Sequence, residues 1–314
     1  MSKEISRRRF LELAALGFSA AACSNVVGQE TSPTPTGITT SAPKEFKSFV
    51  PGIVKGNPIK TPEPTPTPSA RPEWPIEVLK QPVCKGTPDG PYVSLTFDDG
   101  LGYPSEIIDI LNSKDVKITM FWSGRSMLAH ADVVKKAVES GHEIANHTMN
   151  HYLLTLLSAA QFENMTDQEI IDFLYREEII EEDILAAADP ATITSEITEC
   201  ENTFFSICGQ TTKPYFRPPG GRFNETVNET AANLGYRSFF WSIDPQDWKA
   251  GIDSNWLASY VVEKAQVGSI ILLHFGRYST VQALPNILDG LKNKGLEVVS
   301  LTKMAIFPQY PWSG

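Results

Sequence analysis

Two adjacent carboxylates, Asp98 and Asp99, end the run SLTFDDGLG, with Gly100 directly after them. Before them Val93, Leu95 and Phe97 alternate as one buried face of a strand does. Neighbouring side chains on a strand point to opposite faces, so the two carboxylates are placed for different tasks. The chain has only five histidines, and two of them, His147 and His151, stand four apart in HTMNH. On a helical turn such a pair shares one face and can grip one metal ion. The zinc-protease pattern puts a glutamate after the first histidine. Here Thr148 stands in that place, so a general base must come from elsewhere. Asp99 is the third ligand this arrangement needs. Two imidazoles and one carboxylate suit Zn²⁺ or a similar divalent ion, with a fourth position open to water, as in catalytic rather than structural sites. Asp98 would then lie close enough to take a proton from that water.

Later strand-like runs also end on polar groups. Ile270-Ile271-Leu272-Leu273 leads into His274. A lone histidine after apolar residues is more often a satisfied core group, but a strand end on the same rim as the aspartates makes His274 a candidate acid. Phe216-Arg217-Pro218-Pro219-Gly220-Gly221 puts an arginine at another strand end. The prolines fix the loop that follows, and the glycines let a ligand approach. Asp244 and Asp247-Trp248 follow the run Ser238–Ile243, and a carboxylate there could hold and charge His274.

Positioning these residues requires a scaffold of alternating strands and helices. Short β-rich runs at Val93–Phe97, Ile118–Ser123, Glu143–Asn146, Tyr215–Arg217, Ser238–Ile243, Ile270–His274 and Val298–Leu301 alternate with amphipathic segments. The helical patterns are Pro104–Lys114, Ala131–Ser140, Glu225–Leu234 and Val281–Lys294. Such alternation predicts parallel strands covered by helices, and about seven units suit an α/β barrel, complete or incomplete. In such barrels the site lies at the C-terminal ends of the strands, where Asp98 and Asp99 stand. Residues 161–191 break the rhythm. Between Gln161 and Pro190 there are ten acidic residues and one basic residue, Arg176, and the apolar positions suggest a surface helical insertion.

The remaining sequence concerns address. Residues 1–23 read as an export signal: Ser6-Arg7-Arg8-Arg9-Phe10-Leu11 resembles a twin-arginine leader, and Ala20-Ala21-Ala22-Cys23 a lipoprotein cleavage site. The apolar run between them is too short to span a bilayer as a helix. A lipid on Cys23 would anchor the protein to a membrane at the outer face of the cell membrane or in the envelope. Residues 24–82 form an expected tether. Eleven prolines fall between Thr31 and Pro75, a composition that cannot build a core. In polyproline form these residues would reach roughly 140 Å. Residues 83–310 are the expected working domain. A formal net charge of -10 argues against generic nucleic-acid binding. Cys200 and Cys208, if both on one straight helix, are about 12 Å apart and cannot bridge. A bridge from Cys84 to either stays open.

TFDDG, HTMNH, RPPGG, DPQDW and LLH stand here in the order in which five short motifs recur in one family. Together they resemble the polysaccharide deacetylases of carbohydrate esterase family four, the NodB-homology domain, over roughly residues 83–308. The resemblance implies a distorted, incomplete (β/α)7/8 barrel and one divalent metal, zinc most often, with cobalt or a similar ion as alternatives. It implies Asp98 as catalytic base, Asp99, His147 and His151 as metal ligands, and Arg217 as the group that orients Asp98. His274 would be the general acid, tuned by Asp247, with Trp248, Pro218 and Leu272 lining the substrate site. Gly220 would give a backbone N–H to the oxyanion; the family often has tyrosine there, so a ring that could line the sugar pocket is lost. The implied reaction removes N-acetyl groups from N-acetylglucosamine-type polysaccharide, peptidoglycan or chitin-like, and releases acetate. The alternatives are an O-acetyl esterase of the xylan type and a catalytically inactive wall-binding lipoprotein. An inactive relative is expected to lose a ligand, the base or the acid, and all five of those residues are present.

Overall fold

The computed structural model describes residues 73–86, 90–154 and 190–304. The expected export signal, most of the tether and nearly all of the acidic segment 161–191 lie outside the described residues. Only Pro190 and Ala191 of that segment are described, and they begin a helix.

Among the described residues seven parallel strands carry the fold: β1 (Tyr92–Asp99), β2 (Thr119–Trp122), β3 (Glu143–Asn146), β4 (Tyr215–Phe216), β5 (Arg237–Ser238), β6 (Ile270–His274) and β7 (Glu297–Val298). Their order is β5-β4-β3-β2-β1-β6, and β7 pairs with the start of β1. Parallel sheets are covered on both faces, so their strands are buried throughout. On the outer face Val93, Leu95, Phe97, Met120, Ile144, Ile271 and Leu273 join a core beneath the helices. On the inner face Phe121, Ala145, Tyr215, Phe239 and Ile270 pack with Val83, Val299, Leu301 and Met304. The inner positions of β1 are Ser94, Thr96 and Asp98, all buried, so that strand carries polarity into the interior.

The expected strand Ser238–Ile243 is split. β5 pairs with β4, and the chain then leaves the ladder and rejoins the other edge of the sheet, where Ile243 bridges Ile271 of β6. One stretch of chain faces two separated strands, and it cannot bond continuously to both. The barrel is therefore distorted and incomplete, as the motifs implied. β4 and β7 are shorter than expected, and β1 runs on to include both aspartates.

The helices are α1 (Ile76–Leu79), α2 (Pro104–Ser113), α3 (Gly124–Ala129), α4 (Ala131–Glu139), α5 (Pro190–Cys208), α6 (Glu225–Asn233), α7 (Ser254–Lys264) and α8 (Tyr278–Asn293). The expected helices appear as α2, α4, α6 and α8. Their starts follow local chemistry: Pro104 stands in the first turn of α2, and Asn224 caps α6 by accepting from the Val227 N–H. The pattern did not single out α7, although Asp253 caps it through the Trp256 N–H. Cys200 and Cys208 both lie on α5 and are free thiols, so Cys84 is bridged to neither. No helix among the described residues is long and apolar enough to cross a membrane.

Candidate active site

β1 and β6 run in register with Asp98 beside His274, which brings the first and last motifs together on one rim. Regular alternation would send Asp99 to the outer face with Phe97. Instead Asp99 has φ 77°, in the left-handed region, and its carboxylate turns back to the rim. Gly100 continues the turn at φ 81°, and a Cβ there would come within 2.6 Å of the Trp122 ring. The glycine is thus required twice, for its backbone angle and for its missing side chain.

His147 and His151 meet Asp99 as expected, but not on a helical turn. Residues 147–153 form a loop after β3, and Thr148 (φ 66°) and His151 (φ 63°) are both left-handed. This corrects the helical geometry read from the i, i+4 spacing: the loop folds back on itself to bring the pair together. The Thr148 hydroxyl oxygen accepts from the His151 N–H at 3.1 Å. The His147 Nδ1–H donates to the Arg217 carbonyl at 2.7 Å, which turns Nε2 toward the aspartates. His147 Nε2 is 3.6 Å from Asp99 Oδ1, and His151 Nε2 is 3.0 Å from it. One ligand atom from each of these three residues lies within 4.8 Å of the others. Burial alone would raise the Asp99 carboxyl, but the facing His147 imidazole and the bond and charge of His151 hold it well below the usual range. Burial would lower His151, yet its bond to Asp99 and the charge there push it up.

Asp98 has a different main partner, although its Oδ2 lies 3.7 Å from His147 Nε2. It is 4% exposed, and its Oδ1 accepts from Arg217 Nη1 at 2.6 Å. Arg217 is fully buried. Its other donors reach the Thr96 hydroxyl at 3.0 Å and the carbonyls of Phe239 and Phe240 at 2.9 and 3.0 Å. Its plane lies 4.0 Å from the centre of the Phe121 ring. Burial lowers the guanidinium, and the Asp98 charge and hydrogen bond work against that.

Of the two downstream carboxylates, Asp247 holds His274. Its Oδ1 accepts from Nδ1–H at 2.7 Å, while Oδ2 accepts from the His274 backbone N–H at 2.9 Å and the Thr280 hydroxyl at 2.7 Å. Asp244 instead accepts from the Gln246 N–H at 2.8 Å. Burial opposes a charge on His274, yet the Asp247 bond and charge, with Asp99 and Asp98 behind them, push it up to about 9. Gly220 is exposed at φ 62°, and the two bonds closing its turn are donated by Gly221 and Arg222, not by Gly220. Trp248 is 44% exposed, whereas Leu272 and Pro218 are buried. Thr96, Thr148 and Thr280 also build the site. No motif reading singled them out, because isolated threonines carry no periodic or spacing signal.

A sequence profile of the polysaccharide deacetylase family matches residues 85–239. The chain is 32% identical over 221 residues to a peptidoglycan-N-acetylglucosamine deacetylase of Bacillus cereus, covering 68% of this chain and 87% of that one. It is 30% identical over 226 residues to a chitooligosaccharide deacetylase of Rhizobium leguminosarum bv. trifolii, covering 67% and 89%. In structure it matches a mutant, with restored enzymatic activity, of a carbohydrate esterase family 4 pseudoenzyme from Bacillus anthracis. The TM-score is 0.59 at 26% identity, over 72% of this chain and 71% of that one. The chain belongs to the polysaccharide deacetylase family. Within that class it is a hydrolase of the carbohydrate esterase family 4 type, with a curled parallel sheet of the NodB-like kind.

Proposed function

We propose that this chain removes N-acetyl groups from an N-acetylglucosamine-type polysaccharide, peptidoglycan or chitin-like, and releases acetate with the help of a divalent cation, zinc foremost. The observation that carries this reading is the division of the Asp98–Asp99 doublet. Asp99 joins two imidazoles in a donor set, while Asp98, one residue away, is bound to Arg217. The donors fit a cation of the zinc type: two nitrogens and one oxygen converge, and the bond from His147 Nδ1 to a carbonyl aims Nε2 into the set. When bound, such an ion polarises the acetyl carbonyl and lowers the pKa of a water.

The chain's own groups do the rest. Asp98 takes the water proton as attack occurs, and Arg217 holds and aims it. In this reading the Gly220 N–H meets the developing oxyanion. His274, charged and oriented by Asp247, gives a proton to the departing sugar amine. The buried Leu272 and Pro218 suit the acetyl methyl, and the exposed Trp248 ring suits the sugar face. In this reading the leader and Cys23 hold the enzyme by a lipid at the outer face of the membrane, and residues 24–82 let the domain of residues 83–310 reach the polymer.

The test is acetate release from chitooligosaccharide, peptidoglycan and acetylated xylan by zinc-loaded protein, with Asp98→Asn alongside. Asp98→Asn is expected to keep its zinc and lose on the order of 10²–10⁴-fold in rate. Full activity in that variant refutes the assignment. Activity on acetylated xylan alone moves the substrate to O-acetyl groups, and no release from any of the three supports an inactive wall-binding protein.

A further inference from the structure

The loop bearing His147 and His151 is gripped by a carboxylate that the chemistry above does not use. Glu196, on α5, is 5% exposed. Its Oε2 accepts from the Asn150 backbone N–H at 2.8 Å, and its Oε1 from the Asn150 side-chain amide at 2.7 Å. A buried carboxylate is costly unless its oxygens are hydrogen-bonded, and here both are bonded to the residue directly before His151. The next residue of the helix acts on the other end of the loop. Asn146 donates to the Ile197 carbonyl at 2.9 Å, and its side-chain oxygen accepts from the Thr148 N–H at 3.0 Å.

The loop needs such a grip. Thr148 and His151 are non-glycine residues in the left-handed region, a strain that persists only where the surroundings over-determine it. The His151 side chain is 45% exposed, so beyond its bond to Asp99 little packing fixes its ring, and the backbone sets where the ring starts. We propose that Glu196 is a positioning residue: through Asn150 it sets the backbone of His151 so that the imidazole is ready for the divalent cation. The inference rests on the metal-dependent reading above.

The test uses the metal-free chain, with zinc alone titrated against a chromogenic chelator and thermal unfolding followed in excess chelator. Glu196→Gln keeps the shape but turns an amide donor toward a donor. It is expected to weaken zinc binding about 10–100-fold, as the loss of groups that orient ligands does, and to leave the metal-free unfolding midpoint nearly in place. Asn150→Ala, which acts from the loop side and does not disturb α5, is expected to weaken binding in the same direction. The double variant is expected to be no worse than Glu196→Gln alone, because both changes remove one link. Turnover at saturating zinc is expected to recover toward that of the parent. Zinc binding by both single variants as tight as the parent's overturns the inference, and so does a fall in the midpoint with affinity unchanged. A parent chain that binds no zinc overturns the metal-dependent reading as well, so the two failures are distinguishable.

Discussion

His274 is arranged to stay protonated, and Asp247 is the main reason. Burial pulls the imidazole down, but the Asp247 bond and charge raise it from an ordinary 6.5 to about 9. That difference is worth about 3 kcal/mol in favour of the protonated form. Because the folded value is raised, this stabilisation is fully present below about pH 6.5 and is lost as pH rises through about 9. Asp247→Asn preserves the shape and removes the charge. Burial then meets little opposition, and His274 is expected at or below its ordinary value. At about pH 8 the protonated fraction would fall from about nine-tenths to about three in a hundred, a loss of roughly 30-fold in competent acid. Two measurements read this: an NMR titration of the His274 ring in the metal-free chain, and kcat/KM against pH in the zinc-loaded enzyme. A cation beside Asp99 removes part of that residue's share, so the alkaline limb of the loaded parent lies below the metal-free value. The limb of the variant is still expected well below that of the parent. Coincident alkaline limbs, or an unmoved His274 titration in the variant, refute the reasoning.

Two further substitutions separate the roles of the remaining groups. Asp99→Asn removes the charge that the two imidazoles face, and is expected to abolish stoichiometric zinc binding in a chelator competition, a defect distinct from that of Asp98→Asn. Arg217→Lys leaves the carbonyls of Phe239 and Phe240 without their fork of donors, because one ammonium cannot reach both of them and also Thr96 and Asp98. Urea unfolding is expected to show a loss of about 3–5 kcal/mol, as for other broken buried pairs, and an unchanged midpoint would count against the role given to this ion pair.

The sequence shows a residue's position in an element more readily than its contacts across the fold. Asp98, Asp99 and His274 were legible because each ends a run whose apolar pattern gives strand and rim together. The His147–His151 spacing named the right pair with the wrong local geometry. Four residues apart is one helical turn, but the left-handed angles at Thr148 and His151 leave no trace in composition. The choice between Asp244 and Asp247 rested on which carboxylate the loop points at His274, which spacing cannot say. α5 carries buried Ile193, Ile197, Cys200 and Phe204 at helical intervals, but its start was grouped with the acidic stretch before it. Glu196 gave no signal, because a glutamate on an amphipathic helix reads as solvated until the loop beneath it is seen.

The angle at Asp99 explains why two adjacent carboxylates can serve one centre. Had β1 continued as a regular strand, the Asp99 side chain would have entered the outer core with Phe97, Trp122 and Phe275, where an ionised carboxylate has no compensation. The left-handed turn avoids that burial at a local cost of about 1–3 kcal/mol, and the hydrogen bond from His151, with His147 facing the same oxygen, opposes that cost. The donor set is therefore assembled by the chain itself, with the strain, the imidazoles and the glycine at position 100 each depending on the others. Asp98 stays on the strand's inner face, where Arg217 reaches it and the second and fifth motifs converge. Alternation sends the two side chains apart, and the turn returns only one of them, so the doublet places a ligand and a base in one site without making them equivalent.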